Sequence, residues 1–128
     1  MAKDDLTFEQ VSEAVMQHVR ERGWDKENTS RGLAISISLE ANELLEYYQW
    51  NEDNFGNKDD IGSELADIII YAIQFANKND VNITEEVMKK LEKSARKYPV
   101  EIFKIKDKDE RDRAWLEAKK NYKKDTTL

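Results

Sequence analysis

The sequence lacks cysteine altogether, and it has one histidine, one proline and only four glycines in 128 residues. Without cysteine the chain can form no disulfide, no thiolate metal site and no cysteine nucleophile. The scarcity of glycine and proline, with 38% charged residues, favours helices over sheets, loops or collagen-like repeats. We therefore expect an all-α fold with little or no strand.

The sequence also lacks a long apolar segment and an excess of positive charge, and these two absences argue against a membrane or a nucleic acid as a binding partner. No apolar run is long enough to span a bilayer, and the first residues lack the apolar stretch of a secretory signal. The formal net charge of -6 opposes binding to a nucleic acid polymer, which needs a basic surface. We expect a cytoplasmic protein without a membrane partner, although a small anion could still bind through a divalent cation.

The length of the chain is typical of one domain. We predict a single domain over residues 1–128, with a four-helix-bundle core at about 7–99 and a C-terminal helical extension at 100–128. Capping residues and apolar spacing predict the core helices. Their predicted bounds are Thr7 to Gly23, Arg31 to Trp50, Asp59 or Asp60 to Asn79, and Asn82 to Tyr98.

The segments between these helices are predicted from their polar or charged composition. Trp24–Ser30 and Asn51–Asn57 are predicted as loops, Val100–Ile105 as extended chain, and Asp107–Tyr122 as a solvated helix packed by Trp115.

Apolar residues predict which helix faces are buried. The second helix is apolar on most sides, which is typical of a central helix or one that also meets a partner subunit. The predicted buried residues are Phe8, Val11, Val15 and Val19 on the first helix, and Val87, Met88 and Leu91 on the fourth.

Two acidic pairs are the candidate functional residues. Glu40 and Glu43 are three residues apart, as are Glu64 and Asp67, so each pair shares one face of its helix. Glu40 and Glu64 also lie within apolar stripes, which indicates partial burial. Acids converging in a poorly hydrated groove need a counter-charge, and carboxylate oxygens suit Mg²⁺ or Mn²⁺.

These acids have two other interpretations. Acidic pairs at this spacing usually lie on solvated helix faces, and a single pair would carry little weight. A di-iron carboxylate site would need two Glu-x-x-His pairs, and His18 is the only histidine. We expect His18 to be an ordinary, partly exposed helix residue.

Four motifs follow one another along the chain: Leu39-Glu40-Ala41-Asn42-Glu43-Leu44-Leu45-Glu46, Gln49-Trp50, Glu64-Leu65-Ala66-Asp67 and Lys93-Ser94-Ala95-Arg96-Lys97-Tyr98-Pro99. Their order resembles the MazG-like pyrophosphohydrolases, in particular the dCTP pyrophosphatase type. The resemblance covers about residues 24–99.

The resemblance implies a Mg²⁺-dependent hydrolase that splits a nucleoside triphosphate, dCTP-like or a modified pyrimidine, into the monophosphate and pyrophosphate. It also implies a homodimer or homotetramer. Glu43 or Glu46 would orient the attacking water and take its proton. The matching positions are Glu40, Glu43, Glu64 and Asp67 for the metal, Trp24, Trp50 and Tyr71 for the base, and Lys90 and Tyr98 for the phosphate tail.

Two alternative functions remain at this point. The chain could be a non-catalytic helical dimerisation or adaptor module, in which the acidic pairs serve solubility alone. It could also be a related all-α enzyme that acts on dUTP or on a regulatory nucleotide. The sequence leaves open the preferred base and the number of metal ions.

Overall fold

The computed structural model describes residues 5–50 and 56–126, with side chains as far as residue 123. Within these residues the chain forms helices and no strand, which confirms the all-α prediction. No helix in this part of the chain is both long and apolar enough to cross a membrane. The helices are α1 Phe8–Glu21, α2 Trp24–Glu27, α3 Ser30–Glu46, α4 Lys58–Lys78, α5 Ile83–Lys97, α6 Val100–Phe103 and α7 Lys108–Thr126.

Side-chain caps fix where the long helices of the N-terminal part begin. Thr7 Oγ1 accepts from the Gln10 backbone N–H at 3.1 Å, and Gln10 Oε1 accepts from the Thr7 N–H at 2.8 Å. The two bonds form a capping box, and α1 begins beside its predicted start at Thr7. Asn57 and Asp60 form the same reciprocal arrangement at the start of α4. These bonds satisfy backbone donors that the helix itself leaves unpaired.

The prediction of a loop over Trp24–Ser30 is wrong. Gly23 has a left-handed φ of 72°, which ends α1 and lets the chain turn directly into the short helix α2. The Asn28 N–H then donates to the Trp24 carbonyl at 2.8 Å. Thr29 caps α3 by accepting from the Gly32 N–H at 2.9 Å, so α3 already begins at Ser30.

Two other boundaries differ from the predictions. The extended piece predicted at Val100–Ile105 contains the short helix α6, whose first turn includes a bond from the Ile102 N–H to the Pro99 carbonyl. Pro99 precedes the helix as its N-cap, with a non-helical ψ of 142°. Helix α3 ends at Glu46, before the predicted end at Trp50. Most of the turn predicted at Asn51–Asn57 lies outside the described residues.

The chain divides into two compact units, Met1–Ile83 and Thr84–Leu128. In the first unit α3 packs along α4, and α1 packs against α4 and α2. The core contains Met16, Val19 and Ile73, with Val15 and Ile83 packed against it. The predicted inward stripe of α1 is therefore correct at its C-terminal end, whereas Phe8 is 41% exposed.

The second unit is held together by aromatic contacts. The Tyr98 ring stacks on Trp115 with 5.9 Å between centroids and 10° between planes, and Phe103 meets Tyr98 edge-on. This confirms that Trp115 packs α7 into the structure. The predicted burial of Val87, Met88 and Leu91 is wrong for the single chain, because these residues are 49%, 60% and 57% exposed. Helical spacing identifies an apolar face, but it does not show what covers that face.

Candidate metal and nucleotide site

Three of the predicted metal ligands lie together on the packed pair α3 and α4. Glu40 and Glu43 are one turn apart on α3, and Glu64 faces them from α4. One carboxyl oxygen from each lies within 4.8 Å of the others. A group of this size matches the reach of a single hard cation or of a shared proton network.

The surroundings of the three carboxyls differ. Glu43 is exposed, whereas Glu40 and Glu64 are half-buried. The Oε2 atoms of Glu40 and Glu64 are buried and receive no hydrogen bond from the described residues. Buried carboxyl oxygens without partners are costly, so these two atoms fit a site that is completed by a cation.

The pKa values of these acids reflect the crowding. When Glu40 is protonated it can donate a hydrogen bond to Glu43, which favours the protonated form, and removal from water adds to this effect. With the negative charges of Glu43 and Asp67, these causes raise the pKa of Glu40 to about 7. Burial, followed by the interaction with Glu43, also raises the pKa of Glu64. The site therefore has affinity for positive charge, which protons satisfy when no metal does.

Asp67 follows Glu64 by one turn of α4 but lies outside the group of three carboxyls. It is half-buried and lines a neighbouring cleft. Its charge nevertheless contributes to the raised pKa of both Glu40 and Glu64, which places it near the cluster. Glu46, the alternative catalytic candidate, is exposed in the last turn of α3.

The cleft beside the carboxyls has a volume of about 580 Å³ and two aromatic walls, Trp24 and Tyr71. The Trp24 ring meets His18 edge-on at 5.7 Å, and the Arg22 guanidinium lies 5.8 Å from its centroid. These contacts fix the ring although Trp24 is 42% exposed. The other lining residues are Val19, Glu27, Asn28, Thr29, Gly32, Leu33, Ser36, Asp67, Ile70 and Gln74.

The family model described as MazG-like matches residues 35–112, which include all three clustered carboxyls and Asp67. The chain belongs to the MazG-like family. This confirms the resemblance seen in the sequence motifs.

Individual proteins similar to this MazG-like chain are pyrophosphatases by name. It is 27% identical to dCTP pyrophosphatase 1 of Bos taurus and 25% identical to that of Homo sapiens, each over 104 residues. These matches cover 75% of this chain but only 62% and 61% of the relatives, so the chain spans about three fifths of their length. A crystal structure of a pyrophosphatase from Archaeoglobus fulgidus superposes with a TM-score of 0.63 and 31% identity, covering 77% of this chain and 98% of that one.

The remaining predicted substrate residues of this MazG-like protein lie elsewhere. Trp50 is 88% exposed and does not line the cleft. Lys90 and Tyr98 belong to the second unit, where Lys90 is exposed. Tyr98 is engaged by Trp115 and by the ammonium of Lys97, which lies 5.2 Å from its ring centroid. A substrate role for these three residues stays a prediction.

Sequence reasoning found Trp24, Asp67 and Tyr71 but missed most of the other residues that line the cleft, among them the polar residues His18, Asn28 and Gln74. Gln74 could have been found, because it is three residues after Tyr71 and seven after Asp67 and so shares their helix face. Asn28 could not have been found in this way, because it lies in a segment predicted as a loop, where no helical periodicity points to a shared face. His18 is exposed, in agreement with the prediction of an ordinary helix residue, but its ring also supports Trp24.

Proposed function

We propose that this protein hydrolyses a nucleoside triphosphate, dCTP-like or a modified pyrimidine, to the monophosphate and pyrophosphate in a reaction that requires Mg²⁺ and accepts Mn²⁺. One observation carries the proposal: the carboxyl oxygens of Glu40, Glu43 and Glu64 converge within 4.8 Å. The aromatic cleft beside them and the names of the relatives support the same reaction.

The residues that would hold the cation are Glu40, Glu43, Glu64 and Asp67. Their all-oxygen chemistry fits a hard divalent ion, and the unpaired Oε2 atoms of Glu40 and Glu64 provide acceptor sites for it. When bound, Mg²⁺ would supply the positive charge that polarises phosphate oxygens and makes water more acidic.

The protein's own side chains position the reactants. Trp24 and Tyr71 offer ring faces on which a base would stack. Glu43, the exposed member of the cluster, would hold the attacking water and accept its proton, with Glu46 as the alternative base. Lys90 and Tyr98 are proposed to contact the phosphate tail.

A homodimer or homotetramer is part of this proposal. In the single chain, large apolar side chains of α3, α4 and α5 remain open to solvent, which is unusual for a monomeric protein. A second copy would cover them. Those most exposed on these helices are Ile35, Leu39, Leu45, Leu65, Val87, Met88 and Leu91.

A pyrophosphate-release assay over canonical and modified triphosphates, with and without Mg²⁺, tests the proposal. Glu40→Gln keeps the side-chain shape but removes a ligand charge, and it should lower turnover roughly a hundredfold or more. Glu9→Gln, on the exposed first turn of α1, is the matched control and should leave turnover unchanged.

Two outcomes would refute the enzyme proposal. One is a wild-type protein that releases no pyrophosphate from any triphosphate in the panel. The other is a Glu40→Gln variant as active as the Glu9→Gln control. If, in addition, Mg²⁺ leaves the thermal unfolding temperature unchanged, the adaptor-module hypothesis takes its place. Cleavage of dUTP alone would favour the related-enzyme alternative.

A further inference from the structure

Gln74 occupies an uncommon position for an amide side chain. It is 6% exposed, and among the described residues it is the only polar side chain buried to this degree. It lies on the same face of α4 as Asp67 and Tyr71, and all three line the cleft. From Glu64 to Gln74 the helix rises roughly 15 Å, so Gln74 lies well beyond the carboxyl cluster along the cleft.

Asn28 fixes the orientation of this amide. Asn28 Nδ2 donates to Gln74 Oε1 at 3.0 Å, and Asn28 is itself held because its backbone N–H donates to the Trp24 carbonyl at 2.8 Å. The bond occupies the oxygen of Gln74 and directs its NH₂ group elsewhere. We call Asn28 and Gln74 the amide pair.

The amide pair has unused hydrogen-bonding capacity at the cleft. The Nε2 group of Gln74 carries two N–H donors. Among the residues that the structure describes, none accepts a hydrogen bond from this group. Asn28 Oδ1 likewise remains as an acceptor. The two residues line the cleft and so offer it a donor and an acceptor side by side, which suits a ligand that presents an acceptor and a donor in the matching order.

We propose that the amide pair reads the edge of the base: Gln74 Nε2 donates to ring N3 of cytosine, and Asn28 Oδ1 accepts from its 4-amino group. This inference rests on the proposed function and names the residues that select its substrate. Stacking on Trp24 and Tyr71 holds any base, because every base has a π-face. Selection must come from groups that meet the edge of the base.

The pattern of the amide pair distinguishes the two common pyrimidines. Cytosine has an acceptor at N3 beside a donor at the 4-amino group, whereas uracil has N3–H and a carbonyl at the same positions. Facing uracil, Gln74 would place a donor against a donor. The mismatch leaves buried polar atoms unpaired, which is the most effective way for a site to reject a substrate.

The space behind the amide pair makes a clean substitution possible. Asn28 and Gln74, with Val19 and Leu33, also line a second cavity of about 180 Å³. A methionine at position 74 matches glutamine in length and has room to adjust. Gln74→Met therefore removes the donors without overfilling the core.

The test compares dCTP and dUTP as substrates of the wild type and three variants. Gln74→Met should lower the dCTP/dUTP ratio of kcat/KM at least about tenfold, through a higher KM for dCTP. Asn28→Ala leaves Gln74 in place but unanchored, and should shift the ratio in the same direction by about threefold or more. Asn77→Ala is the matched control, since Asn77 lines the small cavity but not the cleft, and it should leave the ratio unchanged.

A parallel measurement needs no catalysis. Calorimetric titration with dCMP and dUMP should show tighter binding of dCMP to the wild type, and this difference should disappear in Gln74→Met. Binding that behaves in this way without any triphosphate cleavage would refute the proposed function and uphold the role of the amide pair. If wild-type cleavage occurs but Gln74→Met keeps the wild-type preference in both assays, the inference is overturned and the proposed function stands.

Two remaining outcomes are also decisive. If Gln74→Met does not fold, as judged by its thermal unfolding curve, Asn28→Ala decides, and an unchanged preference in that variant overturns the inference. A wild type that neither cleaves any triphosphate nor binds either monophosphate overturns both proposals.

Discussion

If Mg²⁺ binds at the carboxyl cluster as proposed, the raised pKa of Glu40 predicts that binding expels a proton, by an amount that depends steeply on pH. A ligating carboxyl must be deprotonated, so whatever proton it holds is released on binding. With a pKa of about 7, Glu40 holds about 0.9 proton at pH 6, about 0.5 at pH 7 and about 0.1 at pH 8. A carboxyl at its ordinary pKa of 4.5 would hold only about 0.03 at pH 6.

The assay is a calorimetric titration of Mg²⁺ into the protein in buffers with different enthalpies of ionisation. The slope of observed heat against buffer enthalpy counts the protons released. We expect release to fall between pH 6 and pH 8 by about 0.8 proton for Glu40. Glu64, whose pKa is also raised, adds to the release at the lower pH. Release equal at both pH values would refute this account of the cluster.

The raised pKa of Glu40 also makes the metal-free protein less stable as pH rises. Because the folded-state pKa of Glu40 lies above its ordinary value, the folded protein binds more protons than the unfolded chain between about pH 4.5 and pH 7. The free energy of unfolding therefore falls across that window and levels off above it. Thermal unfolding in a chelator should show this decline, and Glu40→Gln should weaken it. If the stability of Glu40→Gln declines with pH as much as that of the wild type, the decline is caused by other titrating groups.

Three further substitutions test the fold by urea unfolding. Thr7→Ala should cost about 1 kcal/mol, because it removes the side-chain half of the α1 capping box. Gly23→Ala should cost about 1 kcal/mol from the left-handed φ of 72° alone, since an added Cβ would meet nothing within 4 Å. Trp115→Ala should cost more than 1 kcal/mol, because it loses the stack on Tyr98 as well as buried area. Changes under about 0.3 kcal/mol would contradict the corresponding contact.

Local chemistry explains which parts of the fold were predictable. The Thr7 capping box and the long helices are visible in sequence because their signals span one turn or repeat every turn. Helices α2 and α6 have four residues each, too few for any periodicity to emerge. They were predicted as loop and extended chain for that reason.

The carboxyl site was predictable as a set of residues but not as a geometry. Helical spacing and apolar neighbours singled out Glu40, Glu43, Glu64 and Asp67. Which of these side chains converge depends on the angle and position at which α3 and α4 cross. The apolar spacing of the two helices does not determine that geometry. The structure groups the first three and places Asp67 at the cleft.

Contacts between segments that are distant in sequence were the hardest to predict. Asn28 and Gln74 are 46 residues apart, and neither carries a local signal for their hydrogen bond. The exposed face of α5 illustrates a related limit. Its apolar pattern was recognised correctly, yet the pattern does not tell whether a face is covered within one chain.

The caps of α3 and α4 have a consequence for how this site can change in evolution. Thr29 fixes the first residue of α3 and Asn57 fixes the first residue of α4. The positions of the acids are therefore set separately on the two helices. The joining stretch between Glu46 and Asn57 can then gain or lose residues without rotating either set of acids. The length of that stretch can therefore vary independently of the positions of Glu40, Glu43 and Glu64.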